Sequence, residues 1–176
     1  MIGIAEPAVR AMEPVIPSVE ILGLPVHNVD MASALEAIDG FVRSGLPHHV
    51  VTADASMLVM AQEDEELRGI IAGAALVTPD STGVLWAAGK RRTPLRERVS
   101  GVEIAERLCA LSAEQGYRIY FLGAGPGVAD AAASKMRDAY PGACIVGTRD
   151  GFFSETESAS VVHAVREARA NVLLVA

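Results

Sequence analysis

Residues 76–101 read LVTPDSTGVLWAAGKRRTPLRERVSG. The pair Leu76-Val77 has the apolar character of a strand and runs into Thr78-Pro79-Asp80. Ser81, Thr82 and Gly83 then open an apolar, helix-like run, and a basic segment follows with Lys90, Arg91, Arg92, Arg96 and Arg98. A carboxylate therefore stands where a strand hands over to a helix, with guanidinium groups downstream. In an open parallel sheet that strand end is where ligands bind. The pattern suggests a base beside a phosphate clamp.

Outward from this stretch, strand and helix signals alternate. Residues 19–24 read as a first strand, with an extension to Val26 compatible. Asp30 is placed to cap a helix whose apolar residues Met31, Ala34, Leu35, Ile38 and Phe41 recur at helical spacing, stopped by Gly45-Leu46-Pro47. Residues 48–52 form a short strand, and helices are expected over 55–60 and 65–72. Residues 101–115 carry Val102, Ala105, Leu108, Cys109 and Leu111 on or near one face, and Gly116 is placed to end that helix. A strand over 118–122, a glycine turn, a helix over 128–140, a strand over 144–147, a helix over 155–169 and a last strand over 172–176 complete the pattern. Short apolar strands between helices imply an α/β fold: a mostly parallel sheet with helices on both faces. Residues 1–17 hold three prolines and are expected to be a flexible N-terminal tail, with one domain over 18–176.

Composition excludes several classes. The net charge of −7 argues against general nucleic-acid binding, so the basic segment suits a discrete anion or anionic lipid headgroups. Cys109 and Cys144 lack metal-ligand spacing and read as reduced core residues of a cytoplasmic protein. No apolar run approaches the ~18 residues that span a bilayer. His48 and His49 read as edge residues, Trp86 as core, and no serine sits in a hydrolase elbow.

Each candidate site residue has a plain structural reading beside the functional one. Asp80 and Asp54 stand before helices, where aspartate is commonly an N-cap. Thr52 and Asp54 end one strand and Asp80 ends the next, so in a parallel sheet they line one cleft. Arg98 is either a solvated charge or a bidentate grip on phosphate. Gly123, Gly125 and Gly127 form a strand–helix turn that also suits a diphosphate. Their spacing is not the dinucleotide fingerprint, and Asp150 lies late for a ribose anchor. A nicotinamide-dependent oxidoreductase on a Rossmann-like sheet is thus the weaker alternative, with a non-catalytic nucleotide-binding remnant as a third.

The ordered motifs resemble the WecG/TagA/CpsF glycosyltransferase family of bacterial cell-surface polysaccharide synthesis. The segments beginning at Val51, Val77, Arg98 and Phe121, with Tyr140-Pro141-Gly142 and the stretch from Gly147 to Phe153, follow the family order over roughly 19–176. Asp54 stands in place of a usual asparagine, and Ser81-Thr82 in place of a glycine-containing turn. The resemblance implies a Rossmann-like domain, truncated here after the last strand, since the family continues into a Gln-Glu segment and a membrane-associating part. It implies an inverting transferase, without cofactor or metal, that moves N-acetylmannosamine by default from a UDP-sugar to a polyprenyl-diphosphate-linked N-acetylglucosamine. Asp80 would be the base and Thr52 would share its pocket. Arg98 would hold the diphosphate, Asp54, Ser81 and Thr82 would contact substrate, and the glycine turn would wall the nucleotide. Such an enzyme is expected at the inner face of the cytoplasmic membrane, and its apolar faces leave room for a homodimer.

Overall fold

The computed structural model describes residues 16–176. In chain order the elements are β1 (Ser18–Ile21), β2 (Leu24–His27), α1 (Met31–Ser44), β3 (Val50–Ala53), α2 (Ala55–Met60), α3 (Glu65–Ala72), β4 (Leu76–Pro79), α4 (Thr82–Lys90) and α5 (Gly101–Gln115). They continue with β5 (Ile119–Leu122), α6 (Val128–Ala139), β6 (Ile145–Arg149), a 3-10 turn (Glu155–Glu157), α7 (Ser158–Glu167) and β7 (Val172–Val175). The tail expected over 1–17 lies, up to residue 15, outside the described residues.

The expected α/β alternation is present. β3 pairs with β4 in parallel, and β5 stands between β6 and β7, parallel to both. Helices cover both faces of the β3–β4 pair. On one side Val51, Ala53 and Val77 pack with Leu58 of α2, Ile71 of α3 and Val84 of α4. On the other, Leu76 shares a core with Ala34 and Ile38 of α1, Ile104 and Leu108 of α5, and Ile119 and Phe121 of β5. Every residue of β4 is buried. Each such fully buried aliphatic side chain contributes about 1.5–3 kcal/mol.

Local signals account for most boundaries. Asp30 caps α1 by accepting from the Ser33 N–H at 2.8 Å, and Gly45 ends that helix in the left-handed region at φ 66°. Gly116 does the same for α5 at φ 75°.

Several expectations need correction. The single first strand is a hairpin: Ile21 pairs with Leu24 in antiparallel register, and Leu22 and Gly23 turn the chain at φ 52° and 73°. Two positive φ values match a type I′ turn, whose twist suits a hairpin. Leucine at the first turn position hid it. His48 and His49 precede β3 rather than belonging to it, and Cys144 precedes β6. The helix expected over 155–169 begins as a 3-10 turn, where Ser154 and Glu157 form a capping box. Trp86 is not core: α4 buries Val84 and Ala88, so the tryptophan between them faces outward, 67% exposed. Val102 is 72% exposed because it lies in the first turn of α5, where burial begins only at Ile104. Both cysteines are free, and burial pushes the Cys109 thiol up to about 11.

His27 fastens the hairpin to β4. Its Nδ1 accepts the Val77 N–H at 2.8 Å, so the neutral ring carries its proton on Nε2. Burial holds the imidazole below its ordinary value of 6.5. Protonation would also remove the lone pair that Val77 uses. The stability His27 contributes is therefore complete above pH 6.5 and is lost as pH falls through the lowered native value. We predict that His27→Asn, which offers an amide oxygen without a titration, flattens the fall in urea-unfolding stability between neutral pH and about pH 5. Parallel pH profiles for wild type and variant would remove His27 from this role.

Candidate functional site

The register of β3 and β4 sets Thr52 beside Thr78 and Ala53 beside Pro79, so Asp54 and Asp80 leave the two strands side by side. The Asp80 N–H continues the ladder to the Ala53 carbonyl at 2.9 Å. On the other edge of β4, the Val99 N–H donates to the Pro79 carbonyl at 2.8 Å and the buried Thr78 hydroxyl donates to the Val99 carbonyl at 3.0 Å. These bonds bring the start of α5 to the same strand ends.

Asp80 does not cap the helix that follows it. Ser81 is the N-cap of α4, its hydroxyl accepting from the Val84 N–H at 3.3 Å and also from the Ala55 N–H at 3.2 Å. The Asp80 carboxylate instead accepts the Gly101 N–H through Oδ2 at 3.0 Å. It therefore lies at the N-terminus of α5, where helix dipole and unpaired N–H groups favour negative charge. Its Oδ1 has no protein partner among the described residues and the side chain is only half-buried, so one oxygen is anchored and the other is open. Asp54 does act as a cap, accepting the Met57 N–H at 2.7 Å, and Thr82 is exposed in the first turn of α4.

Gly101 was not singled out from the sequence, yet it decides the spacing. A Cβ there would stand 3.0 Å from the Thr52 hydroxyl oxygen and 3.2 Å from its methyl group. Only glycine lets Thr52, Asp80 and the α5 N-terminus meet without displacement. The Ser100-Gly101 pair opening a helix was the available signal, but its nearest neighbour is 49 positions away in the chain and left no local trace.

Arg98 is not brought to the Asp80 carboxylate. Its guanidinium lies 3.9 Å from Glu103, which also accepts from the Ser100 hydroxyl at 3.1 Å. Arg98 and Arg107, with Glu97, Glu103 and Glu106, line a polar groove of about 400 Å³ closed by Met31 and Tyr140. The groove and the carboxylate are thus neighbours through Ser100 and Gly101, not one enclosed pocket.

The glycine turn belongs to the other parallel sheet. The Gly123 N–H donates to Arg149 and the Ala124 N–H to Ala176, both at 2.9 Å, so the turn is stitched between the ends of β6 and β7. Gly123 has φ +125°, and a Cβ there would fall 1.9 Å from the Ala176 carbonyl oxygen. Close backbone approach accounts for this glycine, and two of the N–H groups a phosphate would use are already donated. Gly127, at φ 77°, starts α6 without a side-chain cap.

Parallel strands bearing carboxylates at their ends, with a helix N-terminus and a polar groove of mixed charge alongside, define an α/β protein with a polar ligand site at its strand ends. A family profile, glycosyl transferase WecG/TagA/CpsF, matches residues 19–176, and the chain belongs to that family. Its members are glycosyltransferases of cell-envelope synthesis, which implies a nucleotide-sugar donor and a sugar acceptor. Among the described residues no helix is long and apolar enough to cross a membrane.

Gly101→Ala is predicted to lower sugar transfer by roughly 10- to 100-fold through displacement of Thr52, since small misplacements at a reacting centre carry costs of that order. Gly40→Ala, whose added methyl meets nothing within 4 Å, should leave transfer unchanged. Steady-state rates for the two purified variants, with circular dichroism to confirm folding, test this.

Proposed function

We propose that the chain is an inverting glycosyltransferase that moves a sugar, N-acetylmannosamine by default, from a UDP-sugar to a polyprenyl-diphosphate-linked N-acetylglucosamine. One observation carries the reading: Asp80 is held by Gly101 through one carboxylate oxygen while the other stays open at the strand ends. An N-cap would spend its side chain on the helix that follows, and Ser81 does that instead.

The chemistry follows from a single displacement. The acceptor hydroxyl attacks the anomeric carbon on the face opposite UDP and passes its proton to Asp80. The bond from that carbon to the diphosphate oxygen breaks, and the electron pair leaves with UDP. Charge grows on the diphosphate as the bond breaks, so Arg98 acts where stabilisation is felt most in the transition state. Pairing with Glu103 keeps the guanidinium in place without enclosing it, since both partners are about half exposed. Thr52 orients substrate with its hydroxyl. Asp54, Ser81 and Thr82 border the sugar, and Gly123, Gly125 and Gly127 wall the nucleotide end.

Asp80→Asn keeps an acceptor for the Gly101 N–H and removes the base. Turnover should fall about 10²–10⁴-fold, the usual contribution of a positioned base. UDP-sugar affinity, read by calorimetry, should stay near wild type. Unchanged turnover sinks the assignment of the base. Arg98→Ala should lower kcat/KM about 10- to 100-fold, the loss of one charge-assisted contact of ~1.5–3 kcal/mol. Arg98→Lys should recover only part of it, because an ammonium lacks the guanidinium fork. Full recovery by lysine would argue against a bidentate grip.

A further inference from the structure

Residues 91–100, between α4 and α5, form neither helix nor strand, yet they carry Arg98. A guanidinium that stabilises a developing charge has to be in place before the charge appears. In a segment without a hydrogen-bond ladder of its own, that order has to come from elsewhere. The segment crosses from one core to the other. Leu95 shares a core with Val84 and Ala88 of α4, and Val99 shares the other with Ile104 and Leu108 of α5. Between these two anchors Arg96, Glu97 and Arg98 are exposed.

Three bonds tie this exposed part to the short connection between β2 and α1. The Arg96 N–H donates to Oδ1 of Asn28 at 2.9 Å. The Arg96 guanidinium donates to Oδ2 of Asp30 at 3.1 Å. Glu97 accepts the Met31 N–H through Oε1 at 2.5 Å. Met31 is the first residue of α1, so Glu97 places a carboxylate at that helix N-terminus while Asp30 serves the Ser33 N–H. The connection is itself fixed, since Val29 is buried and His27 accepts the Val77 N–H of β4. On the far side of Arg98, Val99 is bonded to Pro79 and Thr78 of the same strand. Arg98 thus stands between neighbours held on both sides, and both holds lead back to β4.

The three bonds are unequal. Arg96 and Asp30 are partly exposed side chains, and such a pair restrains little. The Asn28 and Glu97 bonds each end on a backbone N–H, whose direction the fold sets. We propose that Asn28 and Glu97 are positioning residues for Arg98: they fix the course of the chain at 96 and 97 and so hold the guanidinium beside Glu103. Their effect on rate rests on the reading of Arg98 as the diphosphate clamp; the bonds themselves do not.

Steady-state transfer by the full chain, with UDP-N-acetylmannosamine and a short polyprenyl-diphosphate-linked N-acetylglucosamine, tests this. Asn28→Ala and Glu97→Ala should each lower kcat about 3- to 10-fold with the donor KM within about twofold, because misplacement is felt at the transition state. Asn28→Asp and Glu97→Gln, which keep the accepting oxygen, should recover most of the loss. In an Arg98→Ala background neither alanine should lower kcat further, since the effect passes through the guanidinium. Amide exchange followed by NMR should find the Arg96 N–H protected in the wild type and exchanging about tenfold faster or more in Asn28→Ala, with the amides of 104–112 unchanged. An unprotected Arg96 N–H in the wild type would overturn the proposal. So would a rise in KM without a fall in kcat, or a further fall in the Arg98→Ala background, which would mark the bonds as serving the fold alone. Normal turnover in both alanine variants beside an impaired Arg98→Ala would overturn it while the clamp stands. Unchanged transfer in Arg98→Ala would remove the clamp and the proposal with it.

Discussion

The backbone of β4 is the constraint on which the rest depends. Four residues, all buried, must have their peptide groups satisfied inside the protein. β3 satisfies one edge in parallel register. The other edge is closed by unlike partners: the imidazole of His27 takes the Val77 N–H, Pro79 has no N–H to satisfy, and its carbonyl accepts from Val99. Proline at a strand end is tolerated for that reason. Each solution recruits a distant segment. His27 brings the hairpin, and Val99 brings the start of α5 with Ser100 and Gly101. The carboxylate edge thus follows from satisfying one short strand.

Much of this was legible in the sequence because it rests on local chemistry. Asp30, Asp54, Gly45 and Gly116 act within a few residues of themselves, and their elements appear where the side chains dictate. The expected cleft of Thr52, Asp54 and Asp80 needed only two adjacent parallel strands, which the apolar runs specified. What was illegible is non-local or depends on one residue of phase. Whether Asp80 or Ser81 caps α4 turns on where the helix starts, and helix ends are read no better than a residue or two. Trp86 lies in a run that is apolar on every side, so periodicity could not say which face is buried. Gly101 is required by Thr52, and Leu22 turns a hairpin where asparagine or glycine would have announced it.

Glycine has two separate uses here, and they carry different weight for function. At Gly123 it admits the backbone of β7, a demand of the sheet that would exist without any ligand. At Gly101 it admits the side chain of Thr52, and thereby sets a hydroxyl and a carboxylate against the same helix N-terminus. A glycine that makes way for backbone explains a fold. One that makes way for a polar side chain beside a half-open carboxylate points to a site. The same distinction separates the two aspartates, since Asp54 is consumed by its own helix while Asp80 keeps an oxygen for something else.

The basic segment between α4 and α5 shows how one run of charge is divided by its surroundings. Arg96 and Arg98 are matched by Asp30 and Glu103 and so are held near the candidate site. Lys90, Arg91 and Arg92 have no acidic partner among the described residues, and Lys90 lies over the Trp86 ring. Paired surface ions contribute little to stability, in the range of ~0–1 kcal/mol, so the pairing acts on position more than on folding. One basic run is thus divided by its surroundings: Arg96 and Arg98 are fixed by carboxylates from Asp30 and Glu103, while the residues at the end of α4 are left without such a tie among the described residues.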